Sequence, residues 1–386
     1  MTQKETKMTN VIDLKSYDGL RVLFLHLTTA PISFYRMVQY AEHMVDIEGI
    51  IPVFPKFEPD LCDYNLREFE QKPDENLHFL QGLFDAVDMV VCGTVHMTKF
   101  GCVLKALSHY YGTPLIMECD DAPFNIDASH PNSPFIGTGS EIERNAYDQL
   151  RDSDAVVCST EYLRGMLRVH NKDVNVIPNA LNPARWDFAP LPKEDGKIIL
   201  GWAGASAHEK DLGLVRRAFI NLLDRYSNLH IRCLHGAVDL LDHPRFENVE
   251  DWVNILDYPE KLHSMNFDIA VAPLWDSEFN RAKSNLRYLE YSMLGIPTVA
   301  SPVYPYKNTI EEGTDGYFAS TTGEWVDKIS KLCDNTELRT NIGQNAKQKV
   351  IKEYNSELVA QKYADLLKQL FNRYRRKDGD IPAATG

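Results

Sequence analysis

The chain has 386 residues, too many for one ordinary core, and fits two domains of roughly 150 to 200 residues. With 44% hydrophobic and 25% charged residues, no apolar run near the ~20 residues of a membrane span, and a polar start from Met1 to Lys15 without the centre of a signal peptide, it reads as a globular cytoplasmic protein. Residues 1–190 hold 16 Lys and Arg against 27 Asp and Glu, so −11 of the net −14 falls there. An acidic first half disfavours DNA and anionic lipid as partners without excluding them. The seven cysteines are scattered without a C-x-x-C pair and are expected as reduced, buried thiols.

Residues 1–19 read as a frayed tail. Arg21 to His26 is an apolar strand, Leu27 to Ser33 a loop, and the spacing of Phe34, Met37, Val38 and Ala41 predicts a helix. Ile50 to Phe54 is a second strand; the Pro- and acid-rich segment to Asn76 has no assignment. Strands follow at Asp88–Cys92 and Pro114–Cys119, a helix at Phe100–Tyr111 between them, a helix around Glu141–Arg151, and strands at Ala155–Cys158 and Val174–Ile177. Asn182 to Gly196, with its three prolines, is the expected linker. A second series begins with Ile198–Trp202 and continues with a helix over Asp211–Tyr226 and strands at His230–Leu234, Phe267–Leu274 and Thr298–Ser301. Lys347 to Arg373 is predicted as one long helix and Arg375 to Gly386 as a disordered tail. Strands alternating with helices at this rhythm predict an α/β protein of two doubly wound parallel sheets with a cleft between them.

Three stretches carry candidate chemistry. In the first, a helix opening near Lys283 with Ser284 as N-cap would offer amides of Ser284, Asn285 and Leu286 to an anion, beside Arg281 and Lys283. Glu290, two turns on, would accept hydrogen bonds from ribose hydroxyls. The alternative is an amphipathic helix whose Arg281, Lys283 and Arg287 form a solvated basic face. In the second, Gly201 to Asp211, small residues after a strand let backbone approach a phosphate, with Gly204, Ser206, His208 and Lys210 as contacts; a tight turn is the alternative. The third is Glu118 to Asp121 with His96. There Asp120 or Asp121 offers a carboxylate that could hold a hydroxyl or accept a proton, the sugar or acceptor contact being what the family resemblance given below implies; turn chemistry and a divalent-metal pair are the alternatives. Thr28 and Arg36 are minor acceptor or diphosphate candidates, although a surface salt bridge suits Arg36 equally. His235-Gly236, ending a strand, is placed beside the nucleobase.

Asn280 to Ser301, reading N-R-A-K-S-N-L-R-Y-L-E-Y-S-M-L-G-I-P-T-V-A-S, resembles the signature of GT-B glycosyltransferases of the family-four type. Thr309 to Phe318 resembles the E-x-I-x-D-G-x-N-G-x-L segment of that family, and Val176 to Asn179 its V-I-P-N turn. The similarity covers roughly residues 150 to 370, more weakly 20 to 150. It implies two Rossmann-like domains: an acceptor domain at 20–185, a linker at 186–196, a nucleotide-sugar domain at 197–350, and a helix at 351–374 returning to the first domain. It implies a retaining transferase that uses a nucleoside diphosphate sugar, UDP-sugar first, without a catalytic metal, and a saccharide or other glycan as acceptor. Rival readings are transfer to hydroxylated DNA bases, a nucleotide-sugar-binding protein without activity, and sugar-nucleotide epimerisation. In this sequence Trp202 occupies the arginine slot of the family's G-R…K-G loop, and Ala282 stands where the first of its two glutamates is expected. The resemblance therefore carries over Glu290 alone, and Glu278 is the substitute candidate for a carboxylate at the sugar.

Overall fold

The computed structural model describes residues 18–25, 31–54, 73–94, 98–124, 126, 133, 137–193, 196–205, 208–237, 239–251 and 253–375. Thr28, His96 and Ser206 lie outside the described residues, as do 1–17 and 376–386 of the expected tails. The chain divides into two compact units, the first taking it up to Phe124, then 135–178 and 357 onward, the second holding Asn179–Ser356.

In the first unit six parallel strands lie in the order β2-β1-β3-β4-β5-β6: β1 Leu20–Leu25, β2 Ile50–Val53, β3 Met89–Gly93, β4 Leu115–Cys119, β5 Ala155–Cys158 and β6 Val174–Val176. Strands β3, β4 and β5 are near-continuous apolar runs because a parallel sheet covered on both faces has no polar side. The connecting segments are α1, made of Pro31–Ser33, a π-helical stretch Phe34–Val38 and Gln39–Met44, then α2 Pro73–Ala86, α3 Thr98–Tyr111, α4 Glu141–Asp152 and α5 Glu161–Leu167. Ser140 and Thr160 start α4 and α5 by accepting the amides of Glu143 and Leu163, the side-chain cap that makes these helices begin where they do. On one side Leu80, Leu83, Phe84, Phe100 and Leu104 pack on Leu23, Val90 and Leu115.

Helices α2 and α5 answer to no predicted element. The α2 pattern, Leu77, Leu80, Leu83 and Phe84, sits just after the Pro- and acid-rich segment that left this region unassigned. The long terminal helix is two. After α12 Thr336–Glu353 the chain breaks at Tyr354 and Asn355, and α13 runs over Ser356–Tyr374. At the break the Ser356 amide donates to the Leu181 carbonyl and the Leu181 amide to the Tyr354 carbonyl, so backbone pairing replaces the helical bonds. The described helix end also reaches further than expected, since the Arg375 amide bonds to the Phe371 carbonyl.

The second unit is a six-stranded parallel sheet in the order β12-β11-β10-β7-β8-β9. Its strands are β7 Ile198–Ala203, β8 Leu229–Leu234, β9 Phe246–Val249, β10 Ile269–Ala272, β11 Thr298–Ala300 and β12 Tyr317–Phe318. Its helices are α6 Glu209–Arg225, α7 Tyr258–Ser264, α8 Glu278–Ala282, α9 Leu286–Met293, α10 Tyr304–Lys307, α11 Thr322–Asp334 and α12. Numbered from its own first strand this is the 3-2-1-4-5-6 order of a dinucleotide-binding fold, in which the chain reverses direction across the sheet between β7 and β10. Trp202, Phe219, Leu222, Ile231, Val271, Trp325 and Ile329 form its core. The expected linker, 182–196, lies within this unit and contains a short 3-10 turn at Pro183–Arg185.

Among the described residues six cysteines are free thiols, five of them buried and Cys102 exposed. No described helix is long and apolar enough to cross a membrane.

Candidate active site

Open α/β sheets leave a crevice beyond the carboxyl ends of the strands at the point where strand order reverses. In the second unit that point falls between β7 and β10, and the segments leaving these two strands begin at Gly204 and Pro273. Both are candidate stretches. Their meeting is a consequence of strand order, not of closeness in sequence.

The β10 loop differs from expectation. Two helices replace one opening near Lys283: α8, capped by Ser277 accepting the Asn280 amide, ends at Ala282, and α9 begins at Leu286 with Asn285 as its N-cap residue. Ser284 is not the cap. Its hydroxyl accepts from Asn179 Nδ2 at 2.9 Å, which ties the V-I-P-N turn to the K-S-N loop. Asn285 makes no side-chain cap either; its Nδ2 donates to Thr309 Oγ1 at 2.9 Å. The Tyr288 hydroxyl reaches the Asp315 carbonyl, and Lys349 Nζ holds the Asp315 carboxylate at 2.8 Å. The two stretches that resemble family motifs thus fasten the start of α9 between them. Backbone amides at the start of α9 have no intrahelical acceptor, the usual condition for receiving an anion.

Glu290 lies in the second turn of α9, 7% exposed, and accepts from the Tyr258 hydroxyl at 3.4 Å. Burial, and then the Glu290 charge, hold the Tyr258 phenol well above its ordinary pKa, so Tyr258 stays a donor. Trp186 packs edge-on against Tyr258 at 6.3 Å and fixes its ring.

Arg287, left on a solvated basic face by one reading, is partly buried and turned inward. Its Nη1 donates to the Ala203 carbonyl at the end of β7, and its guanidinium stacks on the Trp202 ring at 5.2 Å. Burial opposes its charge, but Tyr291, Tyr306, Tyr258 and Glu290 raise its pKa above the ordinary arginine value. Tyr291 accepts the Ala203 amide at 2.8 Å, so α9 holds both backbone groups of that strand end. The tryptophan in the family's arginine slot is the platform on which an arginine from α9 rests. Sequence reading missed this, although Arg287 and Tyr291 stand four apart and share a helix face.

The β7 loop requires its glycine. A Cβ on Gly204 would lie 2.4 Å from Arg287 Nη1 and 2.6 Å from the Trp202 ring. The β8 end closes on it from the other side: His235 and Gly236 have φ of 60° and 71°, and a Cβ on Gly236 would meet the Ala205 carbonyl carbon at 2.6 Å. A non-glycine residue in the left-handed region is sparse and clusters at functional sites.

His208 and Lys210 flank the start of α6. His208 Nδ1 lies 2.7 Å from Asp211 Oδ2, while Asp211 Oδ1 accepts the Trp275 amide at 2.7 Å and Asn280 Nδ2 at 3.4 Å. Asp211 therefore joins the two loops, a role not assigned to it from sequence although the H-x-x-D spacing was visible. Lys210 Nζ stands 5.0 Å over the exposed Trp275 ring and Lys283 Nζ 4.6 Å over Phe279. Arg281 forms a two-pronged, solvent-exposed pair with Asp276, Nε to Oδ1 2.6 Å and Nη2 to Oδ2 2.9 Å. Glu278 is exposed on the first turn of α8. Ala282, at the place of the family's first glutamate, is 0% exposed.

In the first unit Arg36 is not part of a surface salt bridge. At 1% exposure its Nε donates to Glu118 Oε1 at 2.8 Å and its Nη1 to the Ile177 carbonyl at 2.7 Å, and the Tyr363 hydroxyl of α13 donates to Glu118 Oε2 at 2.7 Å. The cluster sits at the end of β4, which carries Asp120 and Asp121 just beyond it. The Asp120 carbonyl accepts the Ser159 hydroxyl at 2.6 Å, which fixes the backbone there. Among the described residues no three His, Cys, Asp or Glu side chains converge on one point.

These two sheets have the architecture of the GT-B class, and comparison with solved structures agrees. Anabaena HepE in complex with UDP and glucose matches at 12% identity and a TM-score of 0.64, covering 90% of this chain and 99% of its own. Sucrose-phosphate synthase from Thermosynechococcus elongatus matches at 13% and 0.65, covering 92% and 100%. A glycosyltransferase from Rickettsia africae matches at 11% and 0.65, covering 92% and 99%. Residues 216–365, which include α8, α9 and Glu290, match the family described as glycosyl transferase-like. The fold is that of GT-B proteins, and residues 216–365 are similar to the glycosyl transferase-like family. No curated protein matches its sequence.

Proposed function

We propose that the chain is a retaining glycosyltransferase that moves a sugar from a UDP-sugar to an acceptor hydroxyl of a saccharide or glycan. The observation that carries this is the joining of the β7 and β10 loops at the switch point, with Glu290 buried one turn behind the start of α9. The donor's diphosphate is assigned to the amides of 284–286, to Lys283 and to the Gly204 turn; the ribose is assigned to Glu290, pre-aimed by Tyr258. HepE, a structure of the same fold, was solved in complex with UDP and glucose, which supports uracil as the base.

Expelling a nucleoside diphosphate builds negative charge on its outer phosphate, and preorganised donors that meet this charge lower the barrier most. Lys283 and the amides at the start of α9 do that here. As the bond from the anomeric carbon to the phosphate oxygen breaks, the acceptor hydroxyl attacks from the same face. Its proton passes to the departing phosphate oxygen, which accounts for retention without a protein nucleophile. Acceptor recognition is assigned to the first unit, with Asp120 and Asp121 beyond β4. Glu278 remains the candidate for a hydroxyl of the donor sugar, reached from the α8 turn.

Glu290→Ala should weaken UDP binding by calorimetry at least tenfold, the ~1.4 kcal/mol expected of a lost charged hydrogen bond. Unchanged affinity would remove Glu290 from the site.

A further inference from the structure

The His208–Asp211 pair has an unusual place among the cations of this site. Asp211, 7% exposed at its side chain, offers Oδ2 to His208 and spends Oδ1 on Trp275 and Asn280. A carboxylate only accepts, so His208 Nδ1 carries the hydrogen and, in the neutral ring, Nε2 keeps the lone pair. Among the described residues Nε2 has no hydrogen-bond partner. A lone pair is the wrong group to face a phosphate oxygen; an N–H is the right one.

The charges facing the ring come from three places: Asp211 on its own helix α6, Arg287 on α9, and Lys283 between α8 and α9. Burial first, and then Arg287 and Lys283, hold the ring below its ordinary pKa against the upward pull of Asp211. His208 is therefore neutral near pH 7 while the site is empty. A diphosphate placed among Lys283, Arg287 and the Gly204 turn would cancel the two cations and add negative charge of its own, reversing the balance at the ring.

We propose that His208, oriented by Asp211, contacts the donor's diphosphate and takes up a proton as the donor binds. The inference rests on the donor reading of this site and adds pH control to it. Proton uptake sets the sign: affinity rises as pH falls between the ring's two pKa values, by up to about tenfold per pH unit. The imidazolium formed also adds a donor at the oxygen where charge develops during transfer.

The test is calorimetry of UDP-glucose binding to the full chain at pH 7 in two buffers of different ionisation enthalpy. Its diphosphate does not itself titrate near neutrality. The wild type should take up as much as one proton; His208→Gln and His208→Asn should take up none and bind about equally at pH 6 and pH 8. Binding without uptake, or the same uptake in both variants, overturns the proposal and leaves the donor site standing. A wild type that does not bind UDP-glucose at either pH overturns the donor reading and this proposal with it. If neither variant folds, the wild-type uptake and its pH dependence still decide the matter.

Discussion

At the scale of single residues, the site was legible where one side chain or one backbone turn declares its chemistry. Lys283 and the Gly204 turn stand in the loops that leave β10 and β7, and Glu290 in the second turn of α9. What stayed hidden depends on a partner far away in sequence: Arg287 on Trp202 and Ala203, Asp211 on Trp275, Ser284 on Asn179, Arg36 on Glu118. No pattern in the helix bearing Arg287 states that it faces a strand end 84 positions earlier. Two substitutions probe this layer. Gly204→Ala forces the Arg287 guanidinium off its seat, since the new methyl would lie 2.4 Å from Nη1. It should cost about 1–3 kcal/mol in urea unfolding, as overpacking does, and should weaken nucleotide binding as well. Ala282→Glu, which writes the family's missing glutamate back into the sequence, should not improve activity. It places a carboxylate at a position that is 0% exposed, with a loss of roughly 1–3 kcal/mol expected for an unpaired buried polar group and more if it ionises. Stability equal to wild type would mean that the α8 turn opens to let the carboxylate out.

At the scale of elements, the central strands were legible because parallel strands buried on both faces are short continuous apolar runs, as in Met89–Gly93 and Ile269–Ala272, whereas the half-exposed edge strands Phe246–Val249 and Tyr317–Phe318 were missed. Helix breaks were read poorly. The stop at Tyr354–Asn355 comes from backbone pairing with Leu181, and the split between α8 and α9 follows a Ser277 cap and two residues, Ser284 and Asn285, tied to distant partners. Both causes are tertiary and neither leaves a proline or glycine in the sequence. The return of α13 to the first unit can be tested through its buried contact. Tyr363→Phe removes the hydroxyl that Glu118 accepts and should cost about 1–2 kcal/mol of stability. Arg36→Leu, which leaves Glu118 without its guanidinium, should cost more, about 3–5 kcal/mol. Equal losses for the two variants, read by denaturant unfolding, would show that Glu118 is not held as an ion pair.

At the scale of the whole molecule, two doubly wound sheets were expected from the alternation of strands and helices, and two are present. Composition could not place the boundary between the units. The chain passes from one unit to the other at Pro178–Asn179, before the Pro-rich stretch that looks most like a linker, and back again after Ser356. That stretch packs a buried Trp186 onto Tyr258 within the second unit, while Pro190 and Pro192 stay exposed. The acceptor was not legible at all: an acidic first half narrows its class by charge, while choice among hydroxyls depends on pocket shape. The measurement that bears most directly on the central claim is proton NMR of the protein mixed with UDP-glucose, UDP-galactose and UDP-N-acetylglucosamine in turn, following UDP release and the first anomer formed on water or an added saccharide. The account predicts that at least one of the three releases UDP and that the first product keeps the α configuration of the donor. Release with a β product first would contradict retention, and no release from any of them would contradict a UDP-sugar transferase.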